Sequence, residues 1–176
     1  MRKVTFGTAN SLDNFIAREN GDVDWLMWSD EVTPIMSELW AKIDTILMGR
    51  KTFEAALKNA PEQSENEESN IKTYVFSRTL KKGDHKNVEI ISDNAAEFIR
   101  ELKNQDGSEI CLMGGGDFAR TLFEAGLIDE IEFNIHPVLL GSGVPLFLDM
   151  NKQISLELIE CKPLKNGCVY VSYKVK

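Results

Sequence analysis

The sequence predicts an α/β protein of three layers, αβα, with a mixed and mostly parallel sheet, helices on both faces and an antiparallel hairpin at the C-terminus. Three observations carry this. Apolar strand patterns alternate with amphipathic helix patterns through residues 3–125, an order that builds parallel crossovers. Residues 154–161 and 168–175 flank an Asn166-Gly167 pair, which favours tight antiparallel reversal. Two glycine turns, each leading from a strand into a helix, fall at the carboxyl ends of strands, where open sheets bind ligands.

The elements follow in order. Residues 3–8 form a first strand, and polar connections lie at Asp13-Asn14 and over 19–22. After the apolar cluster of Val23, Trp25, Leu26, Met27 and Trp28, Ser29 or Asp30 is placed to cap a helix running to about Ala41, with Ile35, Met36, Leu39 and Trp40 on one face. Residues 44–48 are a buried strand that feeds a helix over 50–59. Residues 61–70, without an apolar side chain after Pro61, are a solvated loop. Strands over 71–77 and 88–92 precede a helix over 94–103 with Ala95, Phe98, Ile99 and Leu102 inward. A strand over 109–113 leads to a helix over 117–125, capped by Asp117 and ended by Gly126. Residues 129–136 alternate, with Ile131, Phe133 and Ile135 opposite Glu130, Glu132 and Asn134, as a strand with one wet face should.

Composition bounds the function. One domain over 1–176 is large enough to bury about 70% of its unfolded surface without staples. A net charge of −8, with no run of Lys or Arg, argues against a nucleic-acid surface, and no apolar stretch is long enough for a membrane span. Because Met1-Arg2-Lys3-Val4-Thr5-Phe6 enters a strand pattern at once, no signal-peptide core is expected and a cytoplasmic location is. Cys111, Cys161 and Cys168 fit reduced, buried thiols, although the last two flank the hairpin and are placed to face each other. With only His85 in a polar loop and His136 at a strand end, neither a His-based metal site nor a Ser-His-Asp arrangement has candidates.

The chemistry-bearing stretches are the glycine turns. Ile46-Leu47-Met48-Gly49-Arg50-Lys51-Thr52-Phe53-Glu54 runs from a strand through one glycine into a basic helix start. There the free N–H groups of the first turn and the helix dipole attract an anion. Leu112-Met113-Gly114-Gly115-Gly116-Asp117-Phe118 repeats the arrangement, and two such turns in one chain suit a long ligand with several phosphates. Neither the dinucleotide Gly-x-Gly-x-x-Gly pattern nor a P-loop is present.

Five stretches together carry a resemblance. They are Ser11-Leu12-Asp13-Asn14-Phe15-Ile16-Ala17, Ile46 to Thr52, Val75-Phe76-Ser77-Arg78, Met113-Gly114-Gly115-Gly116, and the run His136-Pro137-Val138-Leu139-Leu140-Gly141-Ser142-Gly143-Val144-Pro145-Leu146-Phe147. In order and spacing, over nearly the whole chain, the protein resembles the dihydrofolate reductase superfamily. Within it, the chain is most similar to the reductase domain at the C-terminus of bacterial riboflavin-biosynthesis deaminase-reductases and to their stand-alone relatives. The resemblance implies a dihydrofolate reductase-like fold and hydride transfer from NADPH to a small heterocycle, nearest to 5-amino-6-(5-phosphoribosylamino)uracil reduction. Pterin reduction of the dihydrofolate type is the second reading. A non-catalytic dinucleotide-binding or dimerisation module is the reading from another class.

The resemblance also assigns residues. Arg50, Ser77 and Arg78 would surround the 2′-phosphate that distinguishes NADPH from NADH. Gly49, Lys51, Thr52 and the amides of Gly114, Gly115 and Gly116 would meet the pyrophosphate, and Ala9 and Ile16 would line the nicotinamide pocket. The pair Gly114-Gly115 is expected to be joined by a cis peptide bond, as in dihydrofolate reductases. For the substrate, Trp25 and Asp30 have the spacing of a pterin-facing pair, while Asp30 serves equally as a helix cap. Residues 19–41 hold no Lys or Arg but several acidic side chains, among them Asp22, Asp24, Asp30, Glu31 and Glu38, so a neutral or cationic substrate fits better than a phosphorylated one if that segment walls the site. The apolar stretch Val138 to Phe147 needs covering, either by the C-terminal hairpin or at a two-fold contact, and the resemblance implies a homodimer.

Overall fold

The structure is a computed structural model that describes residues 1–59, 71–81 and 88–176. The loop over 61–70 and His85 lie outside the described residues. Among those described, the strands β1 (Val4–Ser11), β2 (Phe15–Ala17), β3 (Ile43–Gly49), β4 (Lys72–Phe76), β5 (Val88–Ile91), β6 (Glu109–Leu112), β7 (Glu130–His136), β8 (Val144–Pro145), β9 (Leu156–Pro163) and β10 (Val169–Val175) alternate with four helices. These are α1 (Val32–Lys42), α2 (Arg50–Asn59), α3 (Ala95–Asn104) and α4 (Gly116–Glu124). Eight strands make one sheet in the order β5-β4-β3-β6-β1-β7-β10-β9, and β2 pairs with β8 apart from it. The first six run parallel, while β10 is antiparallel to both β7 and β9. The predicted α/β class, mostly parallel sheet and antiparallel C-terminal edge are all present.

Strand alternation sorts side chains into two cores. Val4 and Phe6, Leu47, Ile110 and Leu112, and Ile131 and Phe133 pack with Ile99 and Leu102 of α3 and Leu122 and Phe123 of α4. On the other face Ile46, Met48, Val75 and Cys111 pack with Phe53 of α2 and Trp40 of α1. A third cluster joins Val32, at the start of α1, to Leu164 and Cys168 at the hairpin turn. Of the α1 residues only Val32 is buried, whereas α4 buries Ala119, Leu122 and Phe123. Among the described residues no helix is long and apolar enough to cross a membrane.

Several expectations are corrected. Helix α1 starts one or two residues late, after Glu31 instead of Ser29 or Asp30, and no side chain caps it, because the Glu31 carboxylate accepts the Lys165 N–H at 2.7 Å instead. Asp117 is not the cap of α4; Gly115 is, and Asp117 in the first turn pairs with Arg120. Cys161 pairs across the hairpin with Val171, not with Cys168, and is exposed while Cys168 is buried. The second face of β7 is not wet, because α1 lies over it and encloses a chamber lined by Glu132 and Asn134. In the stretch after His136, Leu146 is buried and Phe147 stands edge-on to Phe6 at 6.2 Å, so this half joins the main core, to which Val169 and Val171 of the hairpin also belong, while Leu139 stays 70% exposed.

Candidate functional site

The carboxyl ends of β3, β4, β5 and β6 open on one cleft of about 1250 Å³. Because β3 and β6 are neighbours, their two glycine turns come side by side, and the Gly49 N–H donates to the Gly114 carbonyl at 3.4 Å. The backbone turns here by positive φ: Gly114 is at +120° and Gly115 at +89°. The expected cis bond is absent: among the described residues no peptide is cis, and Gly114-Gly115 is trans. Two consecutive residues in conformations open to glycine already reverse the chain without isomerisation. A side chain on Gly115 would meet Thr52 Oγ1 at 3.5 Å and the Gly49 Cα at 3.8 Å, so its absence keeps the space between the turns open.

Along this cleft lie Gly49, Arg50, Lys51, Thr52, Ser77, Arg78, Gly115, Gly116 and Ile16. Gly114 stands behind its wall, holding Gly49, and Ala9 lies on the far side of Thr8. Phe76 stacks on Phe118 at 4.4 Å, joining the end of β4 to the start of α4. The Arg50 guanidinium makes an exposed bridge to Glu54 at 3.0 Å, which a multiply charged anion can displace at little cost. Ser77 Oγ accepts the N–H groups of Thr79 and Leu80, which shapes the turn and leaves its hydroxyl proton free to donate outward.

A second cavity, about 220 Å³, lies between the sheet and α1 and shares Thr8 and Met113 with the cleft. Its floor is Gly7, Ala9, Cys111, Glu132, Asn134 and Tyr170, and its roof is the inner side of α1 from Val32 to Trp40. Gly7 keeps the floor low, because a Cβ there would stand 3.6 Å from Cys111 Sγ and 4.0 Å from Leu39. Met27 and Trp28, both exposed, stand at one end. Among the described residues no Lys or Arg lines the chamber.

Its polar groups are held by each other. Burial drives the Glu132 carboxyl above its usual range, and the Tyr170 hydroxyl, Lys3 and Lys42 only partly oppose this. Burial and the Glu132 charge push the Tyr170 phenol up as well. Burial pushes the Cys111 thiol up to about 12, so it is no nucleophile at neutral pH. His136 is held low by burial, hence neutral, and its Nδ1 accepts the Met27 N–H at 3.2 Å. The proton of a neutral ring so bonded sits on Nε2, and the Asn134 amide lies 3.2 Å from that atom. The amide oxygen therefore belongs on the ring side, which also gives the buried Asn134 Oδ1 its missing partner.

Trp25 and Asp30 do not meet in this chamber. Trp25 is buried behind its wall, edge-on to His136 at 5.3 Å, and Asp30 is exposed and lines neither cavity. Sequence reasoning missed Glu132, Tyr170 and His136 as site residues. The available signal was the run of polar side chains on one face of a strand with neighbours on both sides, a face that a covering helix turns into a chamber wall.

Comparison with known proteins agrees with this architecture. The family model described as the RibD C-terminal domain matches residues 2–170. An uncharacterized protein of Bacillus subtilis (strain 168), YyaP, is 36% identical over 180 residues, covering 98% of this chain and 94% of its own. A solved structure from Shewanella sp. PV-4, provisionally assigned to riboflavin biosynthesis, superposes with a TM-score of 0.85 at 25% identity and covers 100% of this chain and 99% of its own. The Thermotoga maritima diaminohydroxyphosphoribosylaminopyrimidine deaminase/5-amino-6-(5-phosphoribosylamino)uracil reductase superposes at 0.73 with 19% identity, over 99% of this chain but 57% of that one. Enterococcus faecalis dihydrofolate reductase, solved with NADP(H), superposes at 0.67 with 16% identity, over 99% and 96%, a likeness of fold alone. A chain matched by the family model over nearly its whole length, and carrying the sheet order and glycine turns described above, belongs to the RibD C-terminal domain family and has a dihydrofolate reductase-like fold.

Proposed function

We propose that the protein is an NADPH-dependent reductase of a small heterocycle, related in reaction to the reductase step of riboflavin biosynthesis. The observation that carries it is the junction of two unlike cavities at Thr8 and Met113: a long cleft with cations and two glycine turns, and a small apolar chamber. The cleft fits NADPH by its chemistry. The space that a Gly115 side chain would close lies between two helix starts suited to pyrophosphate, and Arg50, Ser77 and Arg78 stand along the same wall, suited to the 2′-phosphate. Bound there, NADPH supplies the hydride. The chain's part is to bind and orient: α2 and α4 hold the phosphates, while the apolar roof of α1 keeps water from the chamber. The dihydrofolate-type reading called on Asp30, which lies outside the chamber.

The test is a titration of the purified protein with NADPH and NADH, followed by NADPH oxidation with a panel of pyrimidines and pterins. NADPH should bind more tightly. Arg50→Ala should lower that preference about tenfold or more, from loss of a charge-assisted contact of roughly 1.5–3 kcal/mol. Equal affinity for the two cofactors in the unmutated protein would sink the cofactor assignment, and NADPH binding without oxidation by any member of the panel would favour a non-catalytic module.

A further inference from the structure

We propose that the chamber under α1 selects an uncharged or cationic planar heterocycle that carries no phosphate, and that Glu132, positioned by Tyr170, reads the substrate's N–H-bearing edge. This rests on the reading of the chamber as the substrate site and goes further by naming what it takes. Glu132 is the one carboxylate among the lining residues, and Arg and Lys are absent from them. Its surroundings are defined: Tyr170, diagonally across on β10, lines the same floor, Lys3 and Lys42 attract it from the ends of β1 and α1, and Glu130 repels it from its own strand. Lys3 is committed to Glu109 at 3.1 Å and Glu130 at 2.8 Å, so it does not neutralise Glu132 by direct pairing. A carboxylate beside a phenol keeps acceptor capacity for a donor edge, and an amidine-like N–C–N edge offers two parallel donors, the geometry of paired recognition.

A phosphate fares badly in the same place. A buried phosphate needs compensating cations, and here it would meet a carboxylate and the apolar side chains of α1 instead. Lys165, next in sequence to the lining residue Leu164, pairs with Glu31 at 3.8 Å. The low floor at Gly7 and Ala9, beneath Leu39 and Trp40, leaves a slab shaped for a ring.

The probes are 2,4-diaminopyrimidine, which has the donor edge, 1,3-dimethyluracil, which has no N–H, and uridine 5′-monophosphate, which adds a phosphate. Each is titrated calorimetrically into the unmutated protein, Glu132→Gln and Tyr170→Phe, with and without NADPH. The first probe should bind at least tenfold more tightly than the other two, Glu132→Gln should weaken it tenfold or more, and Tyr170→Phe several-fold, with NADPH affinity unchanged throughout. Uridine 5′-monophosphate binding as tightly as the diaminopyrimidine, no binding by any probe, or full affinity in either variant overturns the proposal. Should Glu132→Gln fail to fold, the ranking of probes on the unmutated protein and the Tyr170→Phe result still decide. Because NADPH binding is measured separately, loss of the reductase reading and loss of this proposal are distinguishable.

Discussion

Replacing Gly115 by alanine separates backbone strain from blockage of the cleft. At φ +89° and ψ 99° the residue occupies a conformation that an L side chain adopts at a cost of order 1–3 kcal/mol. The added methyl finds Thr52 Oγ1 at 3.5 Å, the Phe118 Cβ at 3.7 Å and the Gly49 Cα at 3.8 Å, ordinary contacts that add no clash. Strain alone therefore sets the stability loss. At roughly 2–4 °C per kcal/mol for a chain of this size, the melting temperature should fall by about 2–12 °C without loss of fold. The same methyl fills the gap between the two turns, so NADPH affinity should fall as well. Gly126→Ala is the control: at φ +66°, with nothing within 4 Å and no place in either cavity, it carries the strain without the blockage. Thermal melts and NADPH titrations of both variants should show comparable melting losses but weakened NADPH binding in Gly115→Ala alone. Unchanged NADPH affinity in Gly115→Ala would refute the assignment of the phosphates to that gap.

Two further predictions follow from exposed and buried charge and apolarity. The edge strand β9 leaves Leu156, Leu158 and Ile159 exposed at 43%, 55% and 54%, an uncovered edge of the kind proteins hide; we propose a two-fold dimer through it, with light scattering at micromolar concentration giving twice 19.9 kDa and Leu158→Lys shifting the mass toward the monomer. A monomer mass for the unmutated protein contradicts it. Acid and base should act in opposite senses at two carboxyls. Burial raises Asp44, but the Ser108 N–H, Thr45 and Arg2 outweigh it and hold the folded pKa below 3.8, so the stability lost in Asp44→Asn is present above 3.8 and vanishes as pH falls through the folded value. Glu132, raised above 4.5 by burial, costs stability as pH rises from there through its folded value, so Glu132→Gln should gain on the unmutated protein over that window in urea melts. Stability differences that stay constant with pH would refute both.

The parts of the fold visible in sequence were those written in local periodicity. Strand and helix order, the hairpin turn and the glycine turns depend on residues near one another, and the structure places them much as the pattern implies. The departures come from partners far away in the chain. Glu31 spends its carboxylate on Lys165, 134 residues on, which no local capping rule foresees. The hairpin register is set by pairing along β9 and β10, and so moves Cys161 away from Cys168. Alternation on β7 shows that Glu132 and Asn134 share a face, yet cannot distinguish water from a roofed chamber over that face. His136 looked like a strand end because its meaning comes from Met27, 109 residues away, and from Trp25. The cis isomer expected at Gly114-Gly115 came from the resemblance and not from any local pattern in the chain, and the bond is trans.

The roof of the chamber has an energetic consequence of its own. Helix α1 buries one residue fully, Val32 at its start, while Ile35, Met36 and Trp40 are half-buried, packing on the neighbouring clusters and lining the chamber at the same time. Part of the contact that other helices receive from the core is, for α1, open to whatever fills the chamber. Occupancy and the ordering of this helix are then a single thermodynamic event. Part of a ligand's intrinsic affinity is consumed in quieting α1, and the rest appears as protection of the fold that grows with ligand concentration as RT ln(1 + [L]/Kd). A roof that shares its apolar side chains between core and chamber ties selectivity to fit along the whole helix and not to a single contact.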